Sequence, residues 1–226
     1  TIIDATVDAI SASISGGSDS LAAAIGVALA RNFIGETQAN SGISGGDPQA
    51  FTNDLNLSGN LLKASATNIA GSLKGGLTVT SSNNAKVWAY VDSFAAAISV
   101  ATKGKSLALT GAGSEATNRI LYNISADLDG GAKQSSELVV GGKLTVEATD
   151  KSAIKSTSWG AAISASFASS EGGAGSLSIG VSLARNTINN TVKASLANLA
   201  TGSSAESVSV KATKQKAAGN WSDKHP

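Results

Sequence analysis

Cysteine and methionine are absent from this sequence, and histidine occurs once, at His225 beside the last residue. Without cysteine, neither disulfide bonds nor thiolate metal sites can form. A single histidine excludes multi-histidine metal sites, and its place in a solvated tail argues against a catalytic triad. No glycine-rich phosphate loop ending in Lys-Ser or Lys-Thr occurs. We therefore predict that the chain is not an enzyme and holds no cofactor or metal ion.

Neither sign of charge dominates, because 17 Lys and Arg against 16 Asp and Glu leave a formal net charge of +1. Such a chain has no field that attracts nucleic acid or an anionic membrane. No charge-free apolar run reaches the roughly 18 residues of a membrane-spanning helix. No signal peptide is visible, and the sequence starts at Thr1 without a methionine. We expect a fragment or a processed product, with no nucleic acid partner and no membrane span.

Aromatic residues make up only 4% of the chain, which is rich in alanine, serine, threonine and glycine. Small side chains fill only thin layers of a protein interior. A core built from them requires backbones that lie close together.

The sequence repeats itself. IGVALARNFI at 25–34 and IGVSLARNTI at 179–188 are identical at eight of ten positions, and ATNRILYNISADL at 116–128 is a weaker middle copy. A second marker, an apolar triplet followed by a tryptophan, begins at Leu77, Leu144 and Val208. The spacing of these three residues gives units of 64 to 67 residues. We divide the chain into units 1–76, 77–143 and 144–207, with the start of a further unit at 208–226.

Apolar residues alternate with small or polar ones within each unit, as in SLSIGVSLA at 176–184. A period of two predicts β-strands, and Gly-rich pairs mark the turns between them. We predict an all-β fold, a repetitive β-solenoid resembling a parallel β-helix, in which alanine and serine line a thin interior. Rungs of about 20 residues would place three rungs in each unit. An antiparallel β-sandwich or β-roll is the alternative.

An insertion at 38–62 interrupts the first unit. Asp47-Pro48 is typical of a helix start, which predicts a short helix at 48–55 on a loop that leaves the repeats. Insertions of this kind either form a binding face or are tolerated loops without a role.

The pattern GSLSIGVSLARNTINNTVKASLANLATGSSAESVSVKAT at 175–213 resembles the repeats of giant bacterial exoproteins. These are the filamentous-haemagglutinin-like adhesins and autotransporter-like β-helical passengers. The resemblance lies in an Asn-x-Ile run at 186–188 and in the strands at 192–196 and 208–212. It implies secretion, a β-helical stalk and a role in adhesion or surface structure. We therefore expect a non-catalytic structural or adhesive segment of a large secreted or cell-surface bacterial protein.

Two sets of residues stand out as candidate sites. Recurrent Arg-Asn pairs would mark structural corners, with asparagines that adopt a turn conformation or stack between rungs and with arginines outside; they are Arg31, Asn32, Arg185 and Asn186. A candidate ligand surface comprises Trp88, Trp159, Asp127 and Asp129. This surface carries the alternative function, a carbohydrate-binding or polysaccharide-cleaving β-helix. The expected partners are neighbouring repeats or end-to-end copies of the chain, and surface glycans under the alternative.

Overall fold

A computed structural model describes residues 1–35, 60–131, 137–169 and 172–215. Within these ranges the secondary structure consists of β-strands, and no helix is present. The helix predicted at 48–55 lies outside the described residues, as does most of the insertion, whose last three residues belong to β3. The strands are β1 (Ile2–Gly17), β2 (Ser20–Ile34), β3 (Asn60–Thr67), β4 (Gly71–Leu73), β5 (Leu77–Asn83), β6 (Lys86–Ala101), β7 (Ser106–Ile120), β8 (Tyr122–Asp129), β9 (Leu138–Asp150), β10 (Ala153–Ala168), β11 (Ala174–Ile188), β12 (Thr191–Ala197) and β13 (Ser204–Lys214).

The strands form four parallel sheets that do not close into a barrel. Sheet A has the order β1-β6-β10, sheet B has β2-β7-β11, and sheet C has β3-β8-β12. In sheet D, β9 pairs with β13 on one side and with β4 and β5 on the other. Because every strand pair of the described residues is parallel, the antiparallel sandwich or roll is wrong.

One rung, defined here as one pass of the chain through sheets A, B, C and D, is about as long as one sequence unit, and the second and third rungs begin nine residues after the unit boundaries at 77 and 144. The rungs are β1–β5, β6–β9 and β10–β13. The prediction of three rungs in each unit is therefore wrong. Its physical cause is strand length, since the strands of sheets A and B have 15 or 16 residues and one pass uses a whole unit.

The repeated sequences lie side by side in the sheets. Leu77 and Val208 both pair with Leu144, so the three apolar triplets stack. The two decapeptides flank β7, where the weak middle copy occupies the same register. The tryptophans do not stack, because Trp88 pairs with Lys155 whereas Trp159 pairs with Asp92. The tryptophan that follows each triplet is therefore not a marker of register.

Sheets A and B pack face to face and form a thin two-layered body, which we call the blade. Near the connections between the two sheets, its interior contains alanine, serine and glycine from alternate positions, and the larger aliphatic side chains face outward. Toward the base, the interior also holds Ile34, Val87, Val91 and Ile120. The approach is close at Gly26, where an added Cβ would lie 2.9 Å from the carbonyl oxygen of Phe94. The buried alanines of one core cluster are Ala22, Ala24, Ala95, Ala97, Ala108 and Ala112.

Serine hydroxyls cross the interior of the blade near the connections between its two sheets. Ser99 donates to Ser20 Oγ at 2.8 Å, Ser106 donates to Ser99 Oγ at 2.9 Å, and Ser166 donates to Ser106 Oγ at 2.9 Å. The chain of hydroxyls joins all three rungs. It satisfies polar groups that would otherwise be costly to bury.

Sheets C and D pack together around a core of larger side chains, which include Ile124, Leu128, Leu138, Leu144 and Val146. These two sheets form the base of the molecule. Because β3, β8 and β12 have only seven or eight residues, the base is narrower than the blade.

The residues expected at corners lie elsewhere. Asn32 and Asn186 belong to β2 and β11, two residues before those strands end. The left-handed asparagines of the described residues are Asn68 and Asn198, with φ of 56° and 50°, directly after β3 and β12. Asparagine tolerates this conformation better than most residues. The corner conformation was therefore predicted for the wrong asparagines.

Candidate functional surfaces

An asparagine ladder runs through the blade at its junction with the base. The side-chain amide of Asn32 donates to Asn118 Oδ1 at 2.8 Å, and that of Asn118 donates to Asn186 Oδ1 at 2.8 Å. Asn118 is 1% exposed, so the ladder is internal in the middle rung. One identical position in each rung thus makes a continuous line of amide hydrogen bonds, the stacking expected for Asn32 and Asn186.

The recurrent arginines lie on the outer face of sheet B. Arg31 and Arg185 both pair with Thr117 across adjacent strands. Arg31 Nη2 lies 3.5 Å from Glu115 Oε2, and Arg119 lies over the ring of Phe33 at 5.9 Å from its centroid. Three arginines against one glutamate give this end of the face a positive charge.

The rest of the outer face of sheet B is aliphatic. Its side chains are exposed in all three rungs, including Leu107 of the middle strand at 42%, so the exposure is not confined to the edge strands. Contiguous exposed apolar surface of this kind marks an interaction site more often than a free surface. The exposed members are Leu21, Ile25, Val27, Leu29, Leu107, Leu177, Ile179, Val181 and Leu183.

A notch interrupts this aliphatic face in the middle strand. Gly111 lies in register with Ile25 and Ile179, and Gly113 lies in the next outward-facing row, beside valines of both neighbouring strands. An added Cβ at either glycine would meet no atom within 4 Å. The resulting apolar groove has a volume of about 480 Å³, which is within the range of ligand sites.

The outer face of sheet A has an apolar half near the connection to sheet B. Ile10 and Ile14 are 82% and 81% exposed, and Ile98 of the middle strand is 42% exposed. Near this connection, both sheets of the blade are therefore apolar on the outside and have small residues inside. The other exposed apolar side chains of this face are Val100, Trp159, Ile163 and Phe167.

The other half of this face combines acidic and aromatic side chains. Asp8 and Asp92 lie side by side on adjacent strands, next to Trp159 in the same row. A hydrogen bond to Asp92, together with the negative charge of Asp92, raises the pKa of Tyr90. Lys155 covers Trp88, with its Nζ 4.8 Å from the ring centroid. Trp159 is thus the more accessible of these two tryptophans.

Asp127 and Asp129 lie on a different surface, the outer side of sheet C. Burial alone would raise the pKa of Asp127, but hydrogen bonds from Ser195 and Ser125 and the nearby Lys63 lower it overall. The backbone N–H of Gly131 and the amide of Asn198 lower the pKa of Asp129. Both groups are stabilised as carboxylates, whereas a general acid needs a raised pKa.

The structure therefore does not unite the four residues of the candidate ligand surface. Trp88 and Trp159 project from sheet A, and Asp127 and Asp129 project from sheet C. The surfaces that the sequence analysis missed are the two apolar faces of the blade. Their signal was present in the alternation of 21–29 and 176–184, where alanine, serine and glycine take the interior positions and leucine, isoleucine and valine take the outer ones.

One buried polar centre, Asp150, is 4% exposed and is the last residue of β9. Its Oδ1 accepts hydrogen bonds from the Asn83 amide at 3.1 Å and the Ser152 hydroxyl at 2.8 Å, and its Oδ2 accepts one from the Asn190 amide at 2.9 Å. Asn83 belongs to the first rung and Asn190 to the third, and Ser152 lies in the connection between the second and the third. This arrangement ties the rungs together where the chain passes from sheet D to sheet A.

Within the described ranges, no helix is long and apolar enough to cross a membrane. No protein-family model, no curated protein and no solved structure matches this chain.

Proposed function

We propose that the chain is a segment of a parallel β-solenoid with a non-catalytic, structural or adhesive role in a large secreted or cell-surface bacterial protein. The observation that carries the proposal is the pairing of three sequence units, residue by residue, in all four sheets. Repeats of this kind contact only their neighbours, so an array lengthens without a change of fold. Length with rigidity is what a stalk or an adhesive fibre requires.

The end rungs carry the means of lengthening the array. In the described residues each end rung pairs on one side only, which leaves open strand edges. If the third rung of one copy continued in register into the first rung of the next, IGVSLARNTI would lie on IGVALARNFI. Asn186 would then extend the ladder to Asn32 of that copy, and Lys155 would lie beside its Asp4. End-to-end copies, or neighbouring repeats of a parent protein, are the proposed partners.

Association at low salt tests this proposal. We expect light scattering to rise with concentration and to fall with added salt, because opposite charges meet at the junction. Fibres drawn from the concentrated chain should diffract at a spacing of about 4.8 Å along their axis. Lys155→Asp should weaken association by repulsion from Asp4, and Lys155→Asp combined with Asp4→Lys should restore it. A chain that remains monomeric at millimolar concentration and low salt would contradict end-to-end stacking.

A second candidate, carbohydrate binding, is favoured by the outer face of sheet A. Exposed Trp159 lies in the same row as the paired carboxylates Asp8 and Asp92. Aromatic faces stack on sugar rings, and carboxylates accept hydrogen bonds from sugar hydroxyls. A glycan array should then show binding that is lost in Trp159→Ala. Trp88→Ala should weaken binding less, because Lys155 covers the ring of Trp88. Turnover of bacterial exopolysaccharide in a reducing-sugar assay, lost in Asp127→Ala, would instead favour cleavage.

A further inference from the structure

The blade exposes apolar side chains on both of its broad faces. On sheet B the aliphatic rows run from Leu21 to Leu29, nine residues along the strand. At about 3.3 Å per residue and about 4.8 Å between strands, three strands present roughly 400 Å² of flat apolar area on this face. An isolated patch of this size lies in the range that marks interaction sites.

Charge defines which faces are compatible. The half of sheet A that lies away from the connection to sheet B carries three aspartates against two lysines, namely Asp4, Asp8, Asp92, Lys86 and Lys155. The corresponding half of sheet B carries Arg31, Arg119 and Arg185 against Glu115. Two A faces, or two B faces, would bring like charges together. An A face against a B face brings opposite charges together, provided that the two blades point the same way.

Shape agrees with the same arrangement. Gly111 and Gly113 form the notch in the middle strand of sheet B, between isoleucine and valine side chains of its neighbours. The middle strand of sheet A carries the aromatic ring of Phe94 on its outer face. Phe94 lies seven residues before the end of β6 at Ala101, and Gly113 lies seven residues after the start of β7 at Ser106. In two blades stacked in one orientation, the ring therefore lies at the height of the notch.

From these relationships we infer that a second copy of this chain packs side by side against the first. The outer face of sheet A of one blade covers the outer face of sheet B of the other, and Phe94 fills the notch at Gly111 and Gly113. The contact is heterologous, so each blade has one face left for a further copy and the assembly is an open stack. This lateral contact differs from end-to-end lengthening and does not depend on it.

The area predicts a weak contact for three rungs. Two faces of roughly 400 Å² bury about 800 Å² in total, less than the 1,200 Å² or more of stable interfaces. Every added rung enlarges the contact, so a longer array would associate much more firmly. For the chain of three rungs, we expect reversible association that sedimentation velocity detects only toward millimolar concentration.

Filling the notch tests the inference, because insertion of Phe94 and unspecific apolar adhesion predict opposite changes in association. Gly111→Ile combined with Gly113→Val copies the residues of the neighbouring strands into open space, so the fold is preserved and the face becomes more apolar. If association were unspecific adhesion of apolar surface, it would become stronger in this variant. If Phe94 inserts into the notch, insertion is blocked, and sedimentation velocity should show weaker association. Phe94→Ala should also weaken association, by about tenfold in the dissociation constant, as is usual for an aromatic anchor.

All three substitutions lie in the middle rung, so they leave the strand edges of the end rungs unchanged. Circular dichroism should confirm that both variants keep the wild-type strand content. As a positional control, an equimolar mixture of Ala96→Cys and Gly111→Cys chains, treated with a short bismaleimide cross-linker, should form more mixed dimer than either chain forms with itself, because these two positions lie at the same height. Stronger association of the filled variant, or an unchanged constant in Phe94→Ala, would overturn the inference. Binding of neutral phosphatidylcholine vesicles by the monomer, without self-association, would assign the face to lipid and overturn it as well.

Discussion

The side-chain amide of Asn118 donates a hydrogen bond to Asn186 Oδ1 at 2.8 Å, although the two residues are 68 positions apart in the sequence. The same amide group accepts a hydrogen bond from Asn32 through its oxygen. Asn118 therefore uses both its donor and its acceptor within the ladder. Its role differs from that of Asn186, which is exposed in the end rung.

The position within the ladder predicts unequal costs of substitution. Asn118→Ala removes two buried hydrogen bonds and leaves the amide of Asn32 without its acceptor, which should reduce the free energy of unfolding by about 2–3 kcal/mol. Asn186→Ala removes the bond from Asn118 and the exposed hydrogen bonds with Ser156, at a site where water can replace the lost partners, and should cost about 1 kcal/mol or less. Urea denaturation of both variants measures the difference. Equal losses of unfolding free energy in Asn118→Ala and Asn186→Ala would show that burial in the ladder adds nothing to the strength of these hydrogen bonds.

Two glycines of the blade should respond to alanine in opposite directions. An added Cβ at Gly160 would lie 2.8 Å from the carbonyl oxygen of Val181, whereas one at Gly111 meets no atom within 4 Å. Gly160→Ala forces the two sheets apart and should destabilise the chain by about 1–3 kcal/mol. Gly111→Ala restricts the unfolded chain and should be neutral or stabilising by about 0.4–1 kcal/mol. Thermal melts of the two variants provide the comparison. Destabilisation by Gly111→Ala would mean that the space above Gly111 is not open.

The sequence predicts those features of the fold that local interactions determine. The alternation in SLSIGVSLA determines strands, because period two fits only an extended chain. The spacing of Leu77, Leu144 and Val208 determines which residues pair, and these three do stack. Identical neighbours in parallel strands are a local consequence of repetition. Sequence comparison within the chain is sufficient to detect them.

The number of rungs in each unit could not be read in the same way. It depends on where β1 and β2 end, and no proline or charged cluster interrupts their 15 or 16 residues. The candidate surface was misassigned for a similar reason. Trp159 and Asp127 are 32 positions apart, and the sheet to which each belongs depends on the path of the whole rung. The ends of the strands and the sheet to which each strand belongs are determined by tertiary packing, which the local sequence pattern does not encode.

The buried carboxylate of Asp150 should be among the positions most sensitive to truncation. Asp150→Ala leaves the amides of Asn83 and Asn190 and the N–H of Ser152 without their acceptor. Unmet buried donors and the loss of charge-assisted bonds should together cost more than about 3 kcal/mol. Ser152→Ala is the matched control, because it removes the hydroxyl that donates to Asp150 and accepts from the Asn190 amide but leaves the carboxylate in place. Guanidinium denaturation should separate the two variants clearly, and similar midpoints would contradict a central role for Asp150.

The two carboxylates of sheet C predict a loss of stability in acid. Hydrogen bonds and Lys63 lower the pKa of Asp127 in the folded state, and the Gly131 N–H and the Asn198 amide lower that of Asp129. A group whose pKa is lower in the folded than in the unfolded state stabilises the fold above its unfolded pKa of about 3.9. That contribution disappears as the pH falls through the folded pKa. The free energy of unfolding should therefore decline below about pH 4.

Asparagine substitutions isolate this contribution. Asp127→Asn combined with Asp129→Asn removes both titrating groups at nearly constant shape, so the variant should be less stable than the wild type near neutral pH. Toward acid the two curves should converge, since the wild-type carboxylates become protonated and lose the same interactions. Urea midpoints between pH 2 and pH 7 measure this convergence. Curves that stay parallel over the whole range would place the acid sensitivity on other carboxylates, because only groups titrating differently in the two chains can change the gap between them.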